Sequence, residues 1–188
     1  MRRTWYKKSM RSCIAAALAI FFVFSLTGPL AVAADSAAAD TLRLEKTEGT
    51  VALTNKSGKE LTILSSMKLF NGYGLETKLA SYAWLSLDGT KAVKIDAGSK
   101  AEVRESGKKL EVNMKTGSLY FSVTAPLKED ESLNIRTSTM VTGIRGTCGW
   151  INVLGDKISE IYILEGEVIV TSFDPLTGES VTDKVSAG

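Results

Sequence analysis

Val-Thr-Gly-Ile-Arg-Gly-Thr-Cys-Gly-Trp-Ile-Asn-Val, residues 141–153, followed by Ile-Leu-Glu-Gly-Glu-Val-Ile-Val at 163–170, decides how this chain folds. Two apolar strands are separated by a short polar turn, and the triplet Arg145, Gly146 and Thr147 enters the first of them. Three glycines within seven residues (Gly143, Gly146 and Gly149) are too many for an ordinary strand, where each costs entropy and removes a packing side chain. They mark bulges, or places where another backbone passes close by. The stretch contains no catalytic cluster and reads as a structural junction in an all-β protein.

The rest of the sequence extends this reading. From Thr41 onward, short runs alternate apolar and polar residues with period two, the pattern of half-buried strands. Candidate strands are 42–46, 50–54, 60–64, 83–87, 92–95, 101–104, 110–114, 119–123, 133–136, 149–153, 158–164, 167–171 and 181–185. Turn signals separate them, among them Asn71-Gly72, Asp88-Gly89, Ser106-Gly107, Gly155-Asp156 and Asp174-Pro175, where glycine or asparagine supplies positive φ or proline fixes it. No window carries a sustained helical stripe. The expected fold is an antiparallel two-sheet sandwich or a flattened β-solenoid of about a dozen short strands. Gly49, Gly117 and Gly166 each open a strand as glycine, one polar residue, then alternating apolar residues. Their unequal spacings of 68 and 49 residues argue against a true tandem array.

The first 34 residues read as a targeting segment. Arg2, Arg3, Lys7, Lys8 and Arg11 precede an apolar run at 14–26, Gly28-Pro29 breaks it, and Ala31-Val32-Ala33 offers a cleavage site. The 13-residue run is short of the ~20 residues that span a bilayer. The expectation is therefore a signal peptide at 1–34, a flexible lead-in at 35–41 and one β domain at 42–188. The protein is then exported to a periplasmic, cell-surface or extracellular location, with membrane attachment only if cleavage fails. Of 23 basic and 21 acidic residues, the leader holds five basic ones, which leaves 18 against 21 and a net charge of −3. Nucleic-acid binding loses its electrostatic basis.

Histidine is absent, which removes Ser-His and Cys-His nucleophilic pairs and the usual zinc sites. Cys148 is the one cysteine beyond the leader; it is expected to share a strand face with Trp150 and to be buried, an intermolecular disulfide being the alternative. No cofactor or metal is expected. Arg145 is read as a clamp whose guanidinium pins carbonyls or a carboxylate, ahead of a solvated edge arginine or a ligand contact. Gly146 is expected at positive φ or in close backbone contact, and Gly107 in an exposed turn. Asp88-Gly89 is a hairpin turn. The charged run 128–131 is assigned to a solvated loop tip. Tyr73, Tyr82, Trp84, Tyr120 and Phe121 are assigned to the core rather than to a sugar-binding platform.

Several of these residues together resemble the FecR domain, named after the iron-dicitrate transport regulator. The pattern comprises Gly49-Thr-Val51, Leu75-Glu-Thr77 leading through Ser81 to Asp88-Gly89, Gly117-Ser-Leu, Ile144-Arg-Gly-Thr147, and Leu164-Glu-Gly-Glu-Val168. It covers 41–188, and its motif residues are Gly49, Asp88, Gly89, Gly117, Arg145, Gly146, Thr147 and Gly166. The resemblance implies an exported, non-enzymatic, all-β domain. In iron-responsive regulators such domains relay a transporter's state to a sigma factor. Two departures from those regulators are expected: only 13 residues precede the apolar run, so no cytoplasmic anti-sigma segment is expected before it, and no αβ secretin/TonB-type domain is expected after Gly188. Gly149 stands where the family often has a bulky residue. The ending Val-Ser-Ala-Gly is also compatible with a fragment of a longer surface protein. The expected function is a protein-interaction, signalling or scaffold module of the cell envelope, with an unknown envelope or extracellular protein as partner. A carbohydrate-binding module or carboxylate-only glycosidase, and an accessory regulator of envelope-to-sigma-factor signalling, are the alternatives.

Overall fold

A computed structural model describes residues 42–188, apart from 88, 107, 108, 126, 128 and 175. The expected leader and lead-in, together with Asp88 and Gly107, lie outside the described residues. The chain divides into two units, Met1–Ala37 and Ala38–Gly188, and every described residue belongs to the second.

Fifteen strands and no helix occur among the described residues: β1 (Arg43–Glu48), β2 (Val51–Thr54), β3 (Glu60–Leu61), β4 (Met67–Lys68), β5 (Gly74–Thr77), β6 (Tyr82–Ser86), β7 (Lys91–Ile95), β8 (Lys100–Ser106), β9 (Lys109–Val123), β10 (Ser132–Arg136), β11 (Met140–Ile144), β12 (Cys148–Gly155), β13 (Ile158–Glu165), β14 (Glu167–Phe173) and β15 (Ser180–Ser186). The expected all-β fold is present. A front sheet runs β4-β1-β6-β7-β9-β12-β13. A back sheet runs β3-β2-β5-β8-β9-β10-β11-β14-β15. One pairing departs from the expected antiparallel pattern, since β10 lies parallel to β9, from Ser132 opposite Lys109 to Arg136 opposite Asn113.

The sheets share a core to which both contribute: Leu85, Ile95, Leu119, Phe121 and Ile151 from the front, and Leu53, Leu75, Val103, Val112, Met114, Ile135 and Val168 from the back. Each such side chain contributes about 1.5–3 kcal/mol when fully buried. Strand β9 belongs to both sheets. Its inward residues are Leu110, Val112 and Met114 in the first half but Leu119, Phe121 and Val123 in the second. The parity reverses because a strand crossing to the opposite sheet must turn its other face to the core. A bulge opposite Lys100 and Ala101 absorbs the extra residue.

Three two-stranded ribbons fold over from one sheet to the other in this manner. The first joins the crossings β1–β2 and β5–β6, the second β7–β8 and the two halves of β9, and the third β11–β12 and β13–β14. The glycines of the sequence repetition are their corners: Gly49, Gly117 and Gly166 have φ of 73°, 85° and 85°. Each also faces a hydroxyl residue of the crossing beside it. A Cβ on Gly49 would lie 2.9 Å from Ser81 Cβ, one on Gly117 2.6 Å from Ser99 Cα, and one on Gly166 2.5 Å from Thr147 Cγ2. At two corners the serine also caps the turn. Ser81 Oγ accepts the Thr50 N–H at 2.8 Å, and Ser99 Oγ accepts the Ser118 N–H at 3.0 Å. The repetition is thus a recurring corner rather than a recurring domain.

Candidate interaction face

The motif residues named from sequence fall at these corners and in turns. Gly89, with φ 77°, donates its N–H to Ser86 Oγ at 3.2 Å in the turn after β6. Arg145, Gly146 and Thr147 form the β11–β12 crossing. Thr147 is buried, and its carbonyl accepts the Val123 N–H at 2.9 Å. Gly146 has the expected positive φ of 69°, but open space surrounds the position of a Cβ. Close approach occurs instead at Gly149, where a Cβ would strike the Tyr162 carbonyl oxygen and lie 3.0 Å from Phe121 Cζ. A bulky residue there has no room, which accounts for glycine.

Arg145 does not form the expected clamp. Its side chain is exposed and makes no hydrogen bond or ion pair among the described residues, because the crossing carries it outward past the last strand pairing of β11. Arg145→Lys and Arg145→Ala are accordingly expected to leave the urea midpoint unmoved, within about 0.5 kcal/mol. A larger fall in either variant would restore the clamp.

The outer faces of the two sheets differ in chemistry. On the back sheet, charges pair with one another: Lys100 with Glu76 at 2.9 Å, Arg104 with Glu102 at 3.0 Å, and Arg136 with Glu111 at 3.0 Å. Hydrogen bonds from Lys78 and then Lys100 hold the Glu76 carboxyl down at about 2.

The front sheet carries rings. Cross-strand register places Lys46 of β1 opposite Trp84 of β6, Trp84 opposite Lys94 of β7, Lys94 opposite Tyr120 of β9, Tyr120 opposite Trp150 of β12, and Trp150 opposite Tyr162 of β13. Six side chains form one row across six strands, about 24 Å at the usual strand spacing. Lys46 Nζ lies 4.6 Å from the Trp84 ring centroid, and Lys94 Nζ lies 4.3 Å from Tyr82 and 5.8 Å from Trp84. Such contacts are worth about 0.5–1 kcal/mol when exposed. Tyr82 and Trp84 are 6.0 Å apart, Tyr120 and Trp150 4.8 Å. Glu48 and Asp96 each hold one of the lysines at 2.8 Å. Tyr162 donates to Glu160 at 3.0 Å, and that carboxylate raises the phenol's pKa.

Three sequence assignments change here. Phe121 is in the core as expected, but Tyr82, Trp84 and Tyr120 are half-buried on the outward face. The alternation Tyr82-Ala83-Trp84-Leu85 carried the signal, since the small and aliphatic residues take the inward positions. Cys148 shares a face with Trp150, as expected, yet that face is the outward one and the thiol is half-buried. The side chain of Glu131, assigned to a solvated loop tip, is instead buried, 3.5 Å from Lys91 Nζ. Lys46, Lys94 and Tyr162 were missed, because only register across separate strands unites them with the rings.

Hydrogen bonds lower the carboxyl pKa values of Glu76 and Asp174. No group of three or more metal-ligating His, Cys, Asp or Glu side chains occurs among the described residues.

Two sheets folded over shared corners, with one outer face self-paired and the other aromatic, describe an all-β domain whose distinctive surface is a face rather than a cleft. Residues 74–169, just over half of the chain, match the family model described as FecR protein, and the chain belongs to that family. The match takes in Gly89, Gly117, Arg145, Gly146, Thr147 and Gly166 but not the Gly49 corner. Two crystal structures of a candidate anti-sigma factor from Parabacteroides distasonis ATCC 8503, at 1.65 and 2.50 Å, are similar at 15% identity and a TM-score of 0.45. The similarity covers 61% of this chain and 60% of that one. The comparison with curated proteins returned no match.

Proposed function

We propose that this chain is a non-catalytic interaction module of the cell envelope with a signalling or scaffold role, and that its docking face is the outer side of the front sheet. Membership of a family of regulators supports a regulatory rather than catalytic role. The row Lys46, Trp84, Lys94, Tyr120, Trp150 and Tyr162 carries the assignment of the face. Aromatic residues held rigid by a sheet dominate protein contacts at low entropic cost, whereas the back face carries charged pairs such as Arg104–Glu102 and Arg136–Glu111. The basic leader supports export, and an envelope protein is the corresponding partner. Relay to a sigma factor is one form the signalling takes if gene context supplies the remaining components.

The aromatic row also favours a second reading, in which sugar rings stack on Tyr120 and Trp150. One experiment separates the two. A photoreactive residue is placed at Trp150, and in parallel at Arg104 on the back face, and cross-linked in intact cells. A discrete protein adduct at 150 that is absent at 104 is the expected result. A glycan adduct at 150 establishes the second reading, and equal labelling at both positions overturns the choice of face.

A further inference from the structure

We infer that β13 is a self-association edge, at which two copies of this chain join their front sheets into one continuous antiparallel sheet about a twofold axis. Strand β13 pairs only with β12 among the described residues. It is eight residues long, contains neither proline nor lysine, and pairs with β12 in unbroken register from Ser159 to Ile163, the register shifts lying beyond those residues at either end. Protein edges are ordinarily blunted by such residues, by bulges or by brevity. Its outward face exposes Ile158 at 57%, Tyr162 at 53% and Leu164 at 54%. Its inward residues Ile161 and Ile163 pack against the core but are only half-buried.

The sequence of β13 is complementary to itself in one register. Antiparallel partners share a face only when residues of equal parity oppose each other. Centring the axis on Ile161 sets Ile158 opposite Leu164, Ser159 opposite Ile163, and Glu160 opposite Tyr162 of the second copy. Just beyond, Lys157 meets Glu165. On the outward face Ile158 meets Leu164 and each phenol meets a carboxylate, opposite charges close the ends, and on the inward face Ser159 meets Ile163. Shifting by two residues one way opposes Glu160 to itself, which is destabilising. Shifting the other way moves Glu165 from Lys157 to Ser159. The backbone agrees with the first register: the Tyr162 carbonyl is turned toward β12, where it crowds Gly149, so alternate residues Ser159, Ile161 and Ile163 turn their N–H and C=O groups to the free edge. Those are the groups that this register pairs. The interface is isologous and closed, and it abuts the aromatic row through Tyr162, doubling that face across the axis.

Light scattering and sedimentation equilibrium on the exported protein are expected to show a dimer. Tyr162→Glu opposes two carboxylates to the two Glu160 side chains and is expected to weaken association about tenfold or more, with circular dichroism unchanged because the side chain is exposed. Adding Glu160→Lys to that variant is expected to restore the dimer. With both native cysteines changed to serine, Ile161→Cys is expected to form an intermolecular disulfide on mild oxidation, since directly opposed strand residues lie within bridging distance. Ile158→Cys is expected not to, because its counterpart lies about 20 Å along the edge. A monomeric wild type at the highest attainable concentration, a Tyr162→Glu protein that dimerises like wild type, or equal cross-linking at 158 and 161 would overturn the inference.

Discussion

Gly117→Ala is expected to lower the unfolding free energy by about 2–4 kcal/mol, a far larger loss than the same change at Gly146. Two costs add at Gly117. An alanine held at its φ of 85° pays about 1–2 kcal/mol for the left-handed backbone. Its methyl would also lie 2.6 Å from Ser99 Cα, so backbone rather than a flexible side-chain end must give way, at about 1–3 kcal/mol. Relaxation that separates the corner from Ser99 stretches the hydrogen bond from Ser118 N–H to Ser99 Oγ as well. Gly146 bears only the first cost, because nothing stands near its Cβ position. Urea denaturation of the two variants checks this, with the slope held constant so that the midpoints report stability. Equal midpoints would show that close packing at the corners contributes nothing.

The comparison of those two glycines shows what the sequence could and could not disclose. Alternation fixed the inward side chains of most strands, and the recurring Gly-polar-apolar openings at 49, 117 and 166 marked the corners. It did not reveal that the corners work in pairs, because Ser81, Ser99 and Thr147 reach their glycines from crossings far away in the chain. Gly117 therefore looked like a break between two strands at 110–114 and 119–123, whereas a single strand, β9, runs through it and changes sheets. Strand β11 went unrecognised because Thr142 and Gly143 interrupt its apolar pattern, although its inward positions Met140 and Ile144 are buried. The short strands β4 and β5 gave too few alternations to register. The aromatic row was invisible for a related reason: Lys46, Trp84, Lys94, Tyr120, Trp150 and Tyr162 become neighbours only through lateral strand order, which no local pattern encodes. Periodicity says which face of its strand a residue occupies, not which strand lies beside it.

The same long-range pairing governs the second large effect. Lys91→Met is expected to destabilise the protein by about 3–5 kcal/mol, the cost of removing one charge from a buried ion pair. Lys91 opens β7 opposite Val123 at the end of β9, and its ammonium lies 3.5 Å from the Glu131 carboxylate just before β10. The two side chains are only 5% and 4% exposed, so water screens the pair little and cannot replace either partner cheaply. The pair therefore fastens the segment between β9 and β10, whose Leu127 is itself only 7% exposed, against the start of β7. In Lys91→Met this segment is expected to lose hydrogen-exchange protection and to become the first site of proteolysis, ahead of any change at the corners. The double variant Lys91→Met with Glu131→Leu is expected to regain most of the lost stability, because two apolar side chains can fill the site without a desolvation cost. Recovery in the double variant, with the loss confined to the singles, identifies charge burial as the cause. A double variant as unstable as Lys91→Met would instead assign the loss to the packing of the lysine stem.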